Sequence, residues 1–239
     1  MRKKALIVGC SGSEQSFLPG VQRDIENFRN FLKSPNGGHW FESEIVSLYN
    51  PTELELQEEI ESLKSQNLDF SFVVFSGHGE YSEVMGCRRL YLTNSKFVYE
   101  KDMLKISPKQ LTIIDSCAET DDMILESKME KSAGLERLYS SVIKDYRRLY
   151  ELSIERCKPQ AINLYSCDID EYSQDTSKGA MYAAHLLSVA MSNSSNEVLN
   201  ALEAHAITSE VVTKKTQGDQ NPQYICTAKF GDKLPISVH

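Results

Sequence analysis

A histidine and a cysteine occupy similar positions in this sequence, each just after a short apolar run. His78 follows the run 70–75, and Cys117 follows the run 111–115. If the two runs form neighbouring parallel strands, their carboxyl ends meet at one edge of a sheet, about 5 Å apart. A thiol beside an imidazole is the minimum for nucleophilic catalysis, because the imidazole takes the proton and the thiolate attacks a carbonyl carbon. The pair therefore predicts a cysteine nucleophile with a histidine base.

The glycines beside His78 add to this interpretation, because they let a substrate backbone approach closely. We expect the N–H groups of Gly79 and Cys117 to bind the oxyanion of a tetrahedral intermediate. A single histidine or cysteine at a strand end is more often structural, so the prediction depends on the pair. The remaining histidines have no such setting and are interpreted as structural: His39, His185, His205 and His239.

The elements that must position this pair alternate between strands and helices. Strands are predicted at 5–8, 45–49, 70–75, 111–115, 161–165 and 224–228, and helices at 21–32, after 50–52, at 179–191 and at 196–208. The strands are apolar throughout, which is typical of a mainly parallel sheet covered on both faces. Segment 80–99 is predicted to be a hairpin excursion. The pattern predicts an α/β fold whose active site lies at the carboxyl edge of the sheet.

Composition restricts the class of protein further. The 239 residues include 26 Lys plus Arg and 34 Asp plus Glu, a net charge of −8. That balance argues against a general binder of nucleic acid or of an anionic membrane. Apolar runs are too short for a transmembrane helix or a signal peptide. The 6 cysteines form no C-x-x-C motif, which disfavours zinc and dithiol chemistry and indicates a reduced, cytoplasmic protein.

Five sequence motifs follow one another in a specific order: ALIVG at 5–9, LPGVQRD at 18–24, FSGHG at 75–79, IIDSC at 113–117 and YSC at 165–167. In this order they resemble the motifs of the caspase-like cysteine peptidases, a family that also includes metacaspases and paracaspases. The resemblance spans Lys4 to Val238. It implies a three-layer α/β sandwich with a mainly parallel six-stranded sheet and helices on both faces. It also implies His78 as general base and Cys117 as nucleophile.

The same resemblance implies how the chain is organised. Residues 1–239 form a single peptidase domain, with a large-subunit-like part at 1–118, a linker at 119–160 and a small-subunit-like part at 161–239. The domain is most similar to the stand-alone peptidase domains of prokaryotic metacaspases and orthocaspases.

Acidic residues near the pair indicate which bond such a peptidase would cut. Caspases proper place an arginine before the first helix, where this chain has Leu18. Asp24 and Asp115 instead resemble the acidic residues of metacaspases and paracaspases. After the fifth strand, Glu171 is the nearest match to a further acidic residue, and Asp170 is the alternative. Converging carboxylates repel one another, and a planar guanidinium relieves that repulsion, so the S1 pocket is predicted to favour Arg, then Lys.

Other interpretations of these acids stay open. Asp24 could cap or solvate the first helix, and Asp115 could be an ordinary loop residue at a strand end. The nucleophile is followed by Ala-Glu-Thr at 118–120, whereas metacaspases usually have His-Ser-Gly there. Calcium-binding acids of metacaspases are not matched either. The available acids stand at the wrong offsets: Asp102, Asp121 and Asp122. We predict no cofactor and no metal, with calcium dependence left open.

The insertion at 119–160 is mostly charged and begins two residues beyond the nucleophile. Exposed loops are where proteolytic nicking concentrates, and this one offers basic residues to an enzyme that cuts after them. We therefore predict self-cleavage, first at the pair Arg147 and Arg148, and second at Arg137. The alternative is a docked amphipathic helix over 141–152 with its basic residues in solvent.

These observations predict a cysteine endopeptidase that cuts protein substrates after Arg, then Lys. The resemblance further implies a regulated effector of stress, cell-death or antiviral defence signalling that depends on a separate activator protein. The first alternative is a catalytically silent scaffold or binding module, which the intact His78 and Cys117 disfavour. The second is a nucleotide-binding domain, which lacks the phosphate-binding glycine pattern at 9–12.

Overall fold

Strands and helices alternate through most of the chain in the computed structural model, which describes residues 1–13, 16–93, 95–117, 145–176, 178–192 and 197–239. In chain order the elements are β1 (Lys3–Cys10), α1 (Val21–Lys33), β2 (Ile45–Tyr49), α2 (Glu53–Ser65), β3 (Phe70–Gly77), β4 (Gly79–Ser82), β5 (Cys87–Tyr91), β6 (Phe97–Tyr99), β7 (Lys109–Asp115), α3 (Tyr146–Arg156), β8 (Gln160–Tyr165), α4 (Met181–Ser192), β9 (Val198–Asn200), α5 (Ala201–Lys215), β10 (Gln223–Cys226) and β11 (Pro235–Val238). Within these ranges no helix is long and apolar enough to cross a membrane.

The central sheet has six strands in the order β10-β8-β7-β3-β1-β2. All neighbours are parallel except β10, which pairs antiparallel with β8. Side chains of β1 alternate between the two faces, so Ala5 and Ile7 join one buried cluster while Leu6 and Val8 join the other. The first cluster packs under α1, α3, α4 and α5, and the second under α2 and β5. The predicted three-layer α/β sandwich with a six-stranded, mainly parallel sheet is confirmed.

Two helices begin where side chains satisfy their first N–H groups. Thr52 accepts a hydrogen bond from the N–H of Glu55, and the Glu55 carboxylate accepts one from the N–H of Thr52. This reciprocal pair fixes the start of α2. Asn200 accepts from the N–H groups of Leu202 and Glu203 and fixes the start of α5.

The carboxyl-terminal quarter differs from the sequence prediction. The helix predicted at 196–208 begins only at Ala201, because Asn200 caps it, and the preceding residues form β9. The strand predicted at 224–228 is β10, but it is not the last strand. β11 follows and pairs antiparallel with β9 in a separate two-stranded sheet. The predicted hairpin excursion at 80–99 is present as β4, β5 and β6, a three-stranded antiparallel sheet.

Part of the predicted linker is a docked helix. α3 begins at Tyr146, where Asp145 accepts a hydrogen bond from the N–H of Arg148 at 3.0 Å. Tyr150 and Ile154 bury its inner face. The helical alternative therefore describes this part of the chain, with a start five residues later than expected, and the division of the chain at 119–160 stays a prediction. Residues 118–144, which include Arg137, Asp121 and Asp122, lie outside the described residues.

Candidate active site

His78 and Cys117 lie at the carboxyl ends of adjacent parallel strands. β3 and β7 pair in parallel, and Ser76 lies opposite Asp115 in their register. His78 follows β3 directly, and Cys117 stands two residues beyond the end of β7. Both side chains are half-buried, so each is held by the protein and open to solvent. The structure therefore has the arrangement of strand ends that the sequence predicts.

Gly79 shows how closely the two strand ends approach. A Cβ atom on this glycine would lie 2.6 Å from Oγ of Ser116 and 2.9 Å from the carbonyl oxygen of Cys117. Only a glycine permits this contact between the histidine segment and the cysteine segment. The binding of an oxyanion by the N–H groups of Gly79 and Cys117 stays a prediction.

The imidazole of His78 is oriented by backbone. Its Nε2 forms a short hydrogen bond with the carbonyl oxygen of Ser16. Because a carbonyl oxygen only accepts, Nε2 carries the proton of the neutral ring and Nδ1 is left as the base. Gly12, with φ of 74°, lies at the same edge of the ring, where a Cβ would be 3.0 Å from Nε2 and 2.5 Å from the carbonyl oxygen of Ser16. The backbone thus fixes both the position and the tautomer of His78.

The loop that follows β8 contacts the sulfur of Cys117. The N–H of Ser173 lies 3.4 Å from Sγ, and the carbonyl oxygen of Ser173 lies 3.6 Å from it. An N–H directed at sulfur stabilises the thiolate more than the thiol, because its dipole favours negative charge.

A small cleft opens beside Cys117. We call it the acidic cleft, and its lining includes Leu18, Val21, Ser76, Gly77, Asp115, Ser116, Cys117, Ser173, Asp175 and Ala180. The carboxylate of Asp24 lies just behind this lining, since its Oδ2 accepts a hydrogen bond from Oγ of Ser76 at 2.6 Å. Three aspartates therefore converge on one small space next to the nucleophile.

Asp24 and Asp115 are held by the amino end of α4. The N–H of Ala180 donates to Asp24 at 3.1 Å, and the N–H of Ala183 donates to Asp115 at 2.9 Å. The hydroxyl of Ser173 also donates to Asp115. These N–H groups and the positive end of the helix dipole partly offset the negative charge. Asp24 therefore does not act as a cap of α1, and Asp115 is not an ordinary loop residue.

The pKa values of these acids are raised. Burial raises the pKa of Asp24 to about 7, and the neighbouring charge of Asp115 adds to that effect. Burial likewise raises the pKa of Asp115 to about 6. The pKa of Asp175 is raised by burial, while the N–H groups of Gly20 and Thr176 and the charge of His78 oppose the rise. An ionisable group with its pKa shifted into the neutral range, next to a nucleophile, is typical of a functional site.

The structure does not bring Glu171 or Asp170 to the acidic cleft. Glu171 instead accepts hydrogen bonds from the N–H of Asp168, at 3.0 Å, and from the backbone and side chain of Asn221, both at 2.6 Å. Asp170 is exposed in a turn, with φ of 65°. The third acid of the cleft is Asp175, which the sequence prediction missed. Its only signal was its place at the end of the acidic run after β8.

Three of the other cysteines are unsuited to act as nucleophiles. None of the six cysteines, which all lie in the described part of the chain, forms a disulfide. Burial raises the pKa of Cys10 and of Cys167 to about 12, and that of Cys157 to about 11. A thiol that stays protonated at neutral pH is a poor nucleophile.

Metal ligands are not assembled in the described part of the chain. Its His, Cys, Asp and Glu side chains form no group of three that could hold an ion. Asp102 accepts a hydrogen bond from the N–H of Tyr99 at 3.1 Å, where it ends a turn. Independence of calcium and of other cofactors stays a prediction.

A three-layer α/β sandwich with polar side chains such as His78 and Cys117 at the carboxyl ends of its parallel strands defines a caspase-like class of fold. Residues 2–231 match the model of the caspase domain of peptidase family C14. The chain therefore belongs to the caspase domain family, which implies a cysteine peptidase acting on proteins. No curated protein gives a significant sequence match.

Solved structures agree on the fold. Caspase-1 from Spodoptera frugiperda aligns with a TM-score of 0.61 and 13% identity, over 95% of this chain and 88% of that one. A structural genomics target from Geobacter sulfurreducens aligns with a TM-score of 0.63 and 13% identity, over 100% of this chain and 99% of that one. At such low identity these similarities concern the fold alone.

Proposed function

We propose that the protein is a cysteine endopeptidase in which His78 and Cys117 hydrolyse the peptide bond that follows an arginine, and less efficiently a lysine. The observation that carries this proposal is the acidic cleft, which places buried aspartates directly beside the candidate nucleophile. A scaffold protein gains nothing from that arrangement, because buried carboxylates with raised pKa values cost stability.

The proposed reaction follows the orientation of the side chains. Nδ1 of His78 takes the proton from Sγ of Cys117, and the thiolate attacks the carbonyl carbon of the substrate. The resulting oxyanion accepts hydrogen bonds from the N–H groups of Gly79 and Cys117. As the C–N bond breaks, the imidazolium returns its proton to the leaving amine. Water, deprotonated by His78, then attacks the thioester and releases the acid product and the free thiol.

Specificity for arginine follows from charge and shape. A guanidinium offers paired donors that bond two carboxylates at once, whereas lysine offers a single point of charge. Asp115 and Asp175 line the cleft, and Asp24 lies behind it. A side chain ending in a carboxylate would add a further negative charge to this group, so substrates with Asp at P1 are excluded.

The test is a panel of fluorogenic peptides that differ only at P1. We expect cleavage after Arg, slower cleavage after Lys and none after Asp. The Cys117→Ala and His78→Ala variants should each lose all detectable turnover while keeping the wild-type circular dichroism, since nucleophile and base act as one unit. A Cys226→Ala variant serves as the matched control and should retain activity. Equal turnover by Cys117→Ala would contradict the proposed nucleophile, and preference for Asp would contradict the proposed cleft.

Self-cleavage and the cellular role are secondary proposals. Arg147 and Arg148 lie in the first turn of α3, and Arg147 forms ion pairs with Glu44 and Glu151. Cleavage there requires that the turn unwinds first, so Arg137 becomes the stronger candidate. A separate activator and a role in stress, cell death or antiviral defence stay expectations from the resemblance.

A further inference from the structure

A second cavity has a lining different from that of the acidic cleft. It has a volume of about 190 Å³ and is lined by Gly12, Ser16, His78, Tyr91 and Thr93. We call it the Tyr91 cavity. Of these two spaces, Cys117 lines the acidic cleft and His78 lines the Tyr91 cavity. The two members of the proposed dyad therefore face two different spaces.

The order of proton transfers assigns these spaces to the two sides of the cut bond. The thiolate bonds to the carbonyl carbon, so the residue before the cut extends past Cys117. The leaving amine takes its proton from His78, so the residue after the cut, at P1′, must lie beside the imidazole. Of the two spaces, the imidazole lines the Tyr91 cavity, which is therefore the candidate for this position.

Tyr91 contributes the one phenol ring of this lining, and its position is firmly held. The N–H of Tyr91 donates to the carbonyl oxygen of His78 at 3.0 Å, which ties the wall to the catalytic segment. The ring of Tyr91 meets the ring of Phe97 edge-on at 5.9 Å, and Phe97 meets Tyr99 edge-on at 5.4 Å. Rings in such contacts keep their orientation, and a further ring or branched side chain packs well against them.

The chemistry of the lining separates it from the acidic cleft. Its described side chains comprise one phenol ring, two hydroxyl groups and the imidazole of His78, with no carboxylate, ammonium or guanidinium. Gly12 has no side chain to fill the space. Among these described side chains, a charged P1′ side chain would find no partner of opposite charge for the water it loses.

We propose that the Tyr91 cavity is the S1′ subsite, and that it selects a large apolar or aromatic side chain immediately after the cut bond. The inference rests on the proposed peptidase function and adds a second specificity determinant to it. The chain would then recognise a dipeptide, a basic residue followed by an aromatic or bulky aliphatic one.

A binding experiment tests the subsite without turnover. Fluorescently labelled peptides with Arg at P1 and Gly, Phe or Glu at P1′ are titrated into the Cys117→Ala protein, and Kd is read from anisotropy. We expect Phe to bind about tenfold more tightly than Gly, as for one buried apolar group, and Glu to bind no better than Gly. Equal Kd values for Phe and Gly would overturn the S1′ assignment, whether or not the wild type cuts peptides.

Substitutions at Tyr91 and Tyr99 test which residue is responsible for the preference for Phe at P1′. On the same Cys117→Ala background, Tyr91→Ala should bring the Phe and Gly peptides within about twofold, and Tyr91→Phe should keep the preference, because it keeps the ring. Tyr99→Ala is the matched control, since Tyr99 belongs to the same row of rings but does not line the cavity. Loss of preference in Tyr99→Ala but not in Tyr91→Ala would overturn the proposal.

Kinetic measurements on the wild type distinguish the proposed peptidase function from the proposed S1′ subsite. Internally quenched Arg-Phe and Arg-Gly peptides are compared by kcat/KM, with the expected ratio again about tenfold. Cleavage of both at equal rates would support the peptidase and overturn the subsite. Preferential binding of Arg-Phe with no cleavage of either would support the subsite and overturn the proposed function.

Discussion

The burial of the Asp24 and Asp115 carboxylates lowers the stability of the folded protein. Their side chains are among the least exposed in the protein, at 1% and 3% relative accessibility for the two residues. Each charge has lost its water, and each is close to the other. The hydrogen bonds from Ser76, Ala180 and Ala183 offset only part of this loss. Such a conflict between stability and charge is common where a ligand of opposite charge is expected.

The raised pKa of Asp24 predicts a particular dependence of stability on pH. Its folded pKa of about 7 lies above the ordinary aspartate value of 3.8. Between those two values the folded state holds more protons than the unfolded state, so the free energy of unfolding falls as pH rises. Asn at this position does not titrate, and its amide can still accept from Ala180 and donate to Ser76. We therefore expect Asp24→Asn to be at least as stable as wild type at pH 8.

Urea unfolding at pH 5 and pH 8 measures this effect in both proteins. Wild type should lose on the order of a few kcal/mol more than Asp24→Asn over the interval, as a shift of several pKa units implies. The same variant should lose cleavage after Arg by at least about tenfold, because a buried charge partner is gone. Equal loss of stability in wild type and variant would contradict the raised pKa.

The positions of residues at strand ends could be predicted from the sequence, whereas the positions of residues in the loop after β8 could not, and the roles of both stay predictions. Asp115 could be predicted because the end of an apolar strand fixes where the next side chain lies. Glu171 and Asp175 lie in a loop, where no regular strand fixes the direction of their side chains. The turn at Asp170, with its positive φ, directs Glu171 toward Asn221, and that turn leaves Asp175 to reach the cleft.

At the scale of elements, α3 is attached by charges as well as by its apolar face. Arg147 bonds Glu44 in a two-point contact, at 2.6 and 2.8 Å, and its guanidinium lies over the ring of Phe41. Lys3, whose side chain is fully buried, forms an ion pair with Glu151 at 2.6 Å. These contacts hold the first turn of α3 against β1 and the segment before β2.

Fraying of that turn should expose it to proteases. Asp145→Ala removes the side chain that caps α3, which costs about 1 kcal/mol. We expect limited trypsin digestion after Arg147 and Arg148 to become about fivefold faster, as that energy implies. The measurement uses the Cys117→Ala background, where any activity of the protein itself is absent. Glu155→Ala, in the last turn of α3, is the control and should leave the rate unchanged. Equal rates for all three proteins would show that the first turn is already open.

The elements that could be predicted are those whose hydrophobic pattern is long enough to be recognised within the element itself. α1 and β2 were predicted almost to the residue, since amphipathic spacing and an apolar run define them. β9 and β11 have three and four residues. They exist because each supplies the other's hydrogen bonds across 35 residues of chain from Asn200 to Pro235. No local window contains both partners.

Across the whole molecule, the segment 118–144 and α3 together connect two strands that are already neighbours. β7 and β8 pair in parallel through six residues, from Lys109 with Gln160 to Ile114 with Tyr165. α1 and α4, which also lie on either side of the segment in sequence, pack on one face of the sheet. The two parts share one core, so the covalent link between them contributes little beyond proximity.

We therefore expect the protein to stay assembled after a cut in this segment. A recognition site for an exogenous, highly specific protease is inserted between 118 and 144 of the Cys117→Ala variant, and the protein is cut to completion. Both fragments should elute together at the volume of the uncut protein in size-exclusion chromatography, and separate only in denaturant. Separate elution in native buffer would contradict a shared core.

The acidic cleft has one more consequence, which concerns the end of a catalytic cycle. A bound peptide is neutral at the bond to be cut, but the acyl fragment leaves with a new terminal carboxylate. That group forms beside Cys117, a short distance from Asp115 and Asp175 in the same lining. Like charges at such range repel, so the carboxylates that would hold the arginine also weaken the hold on the finished fragment. Product inhibition should accordingly be slight, and an arginine amide should inhibit better than the corresponding acid.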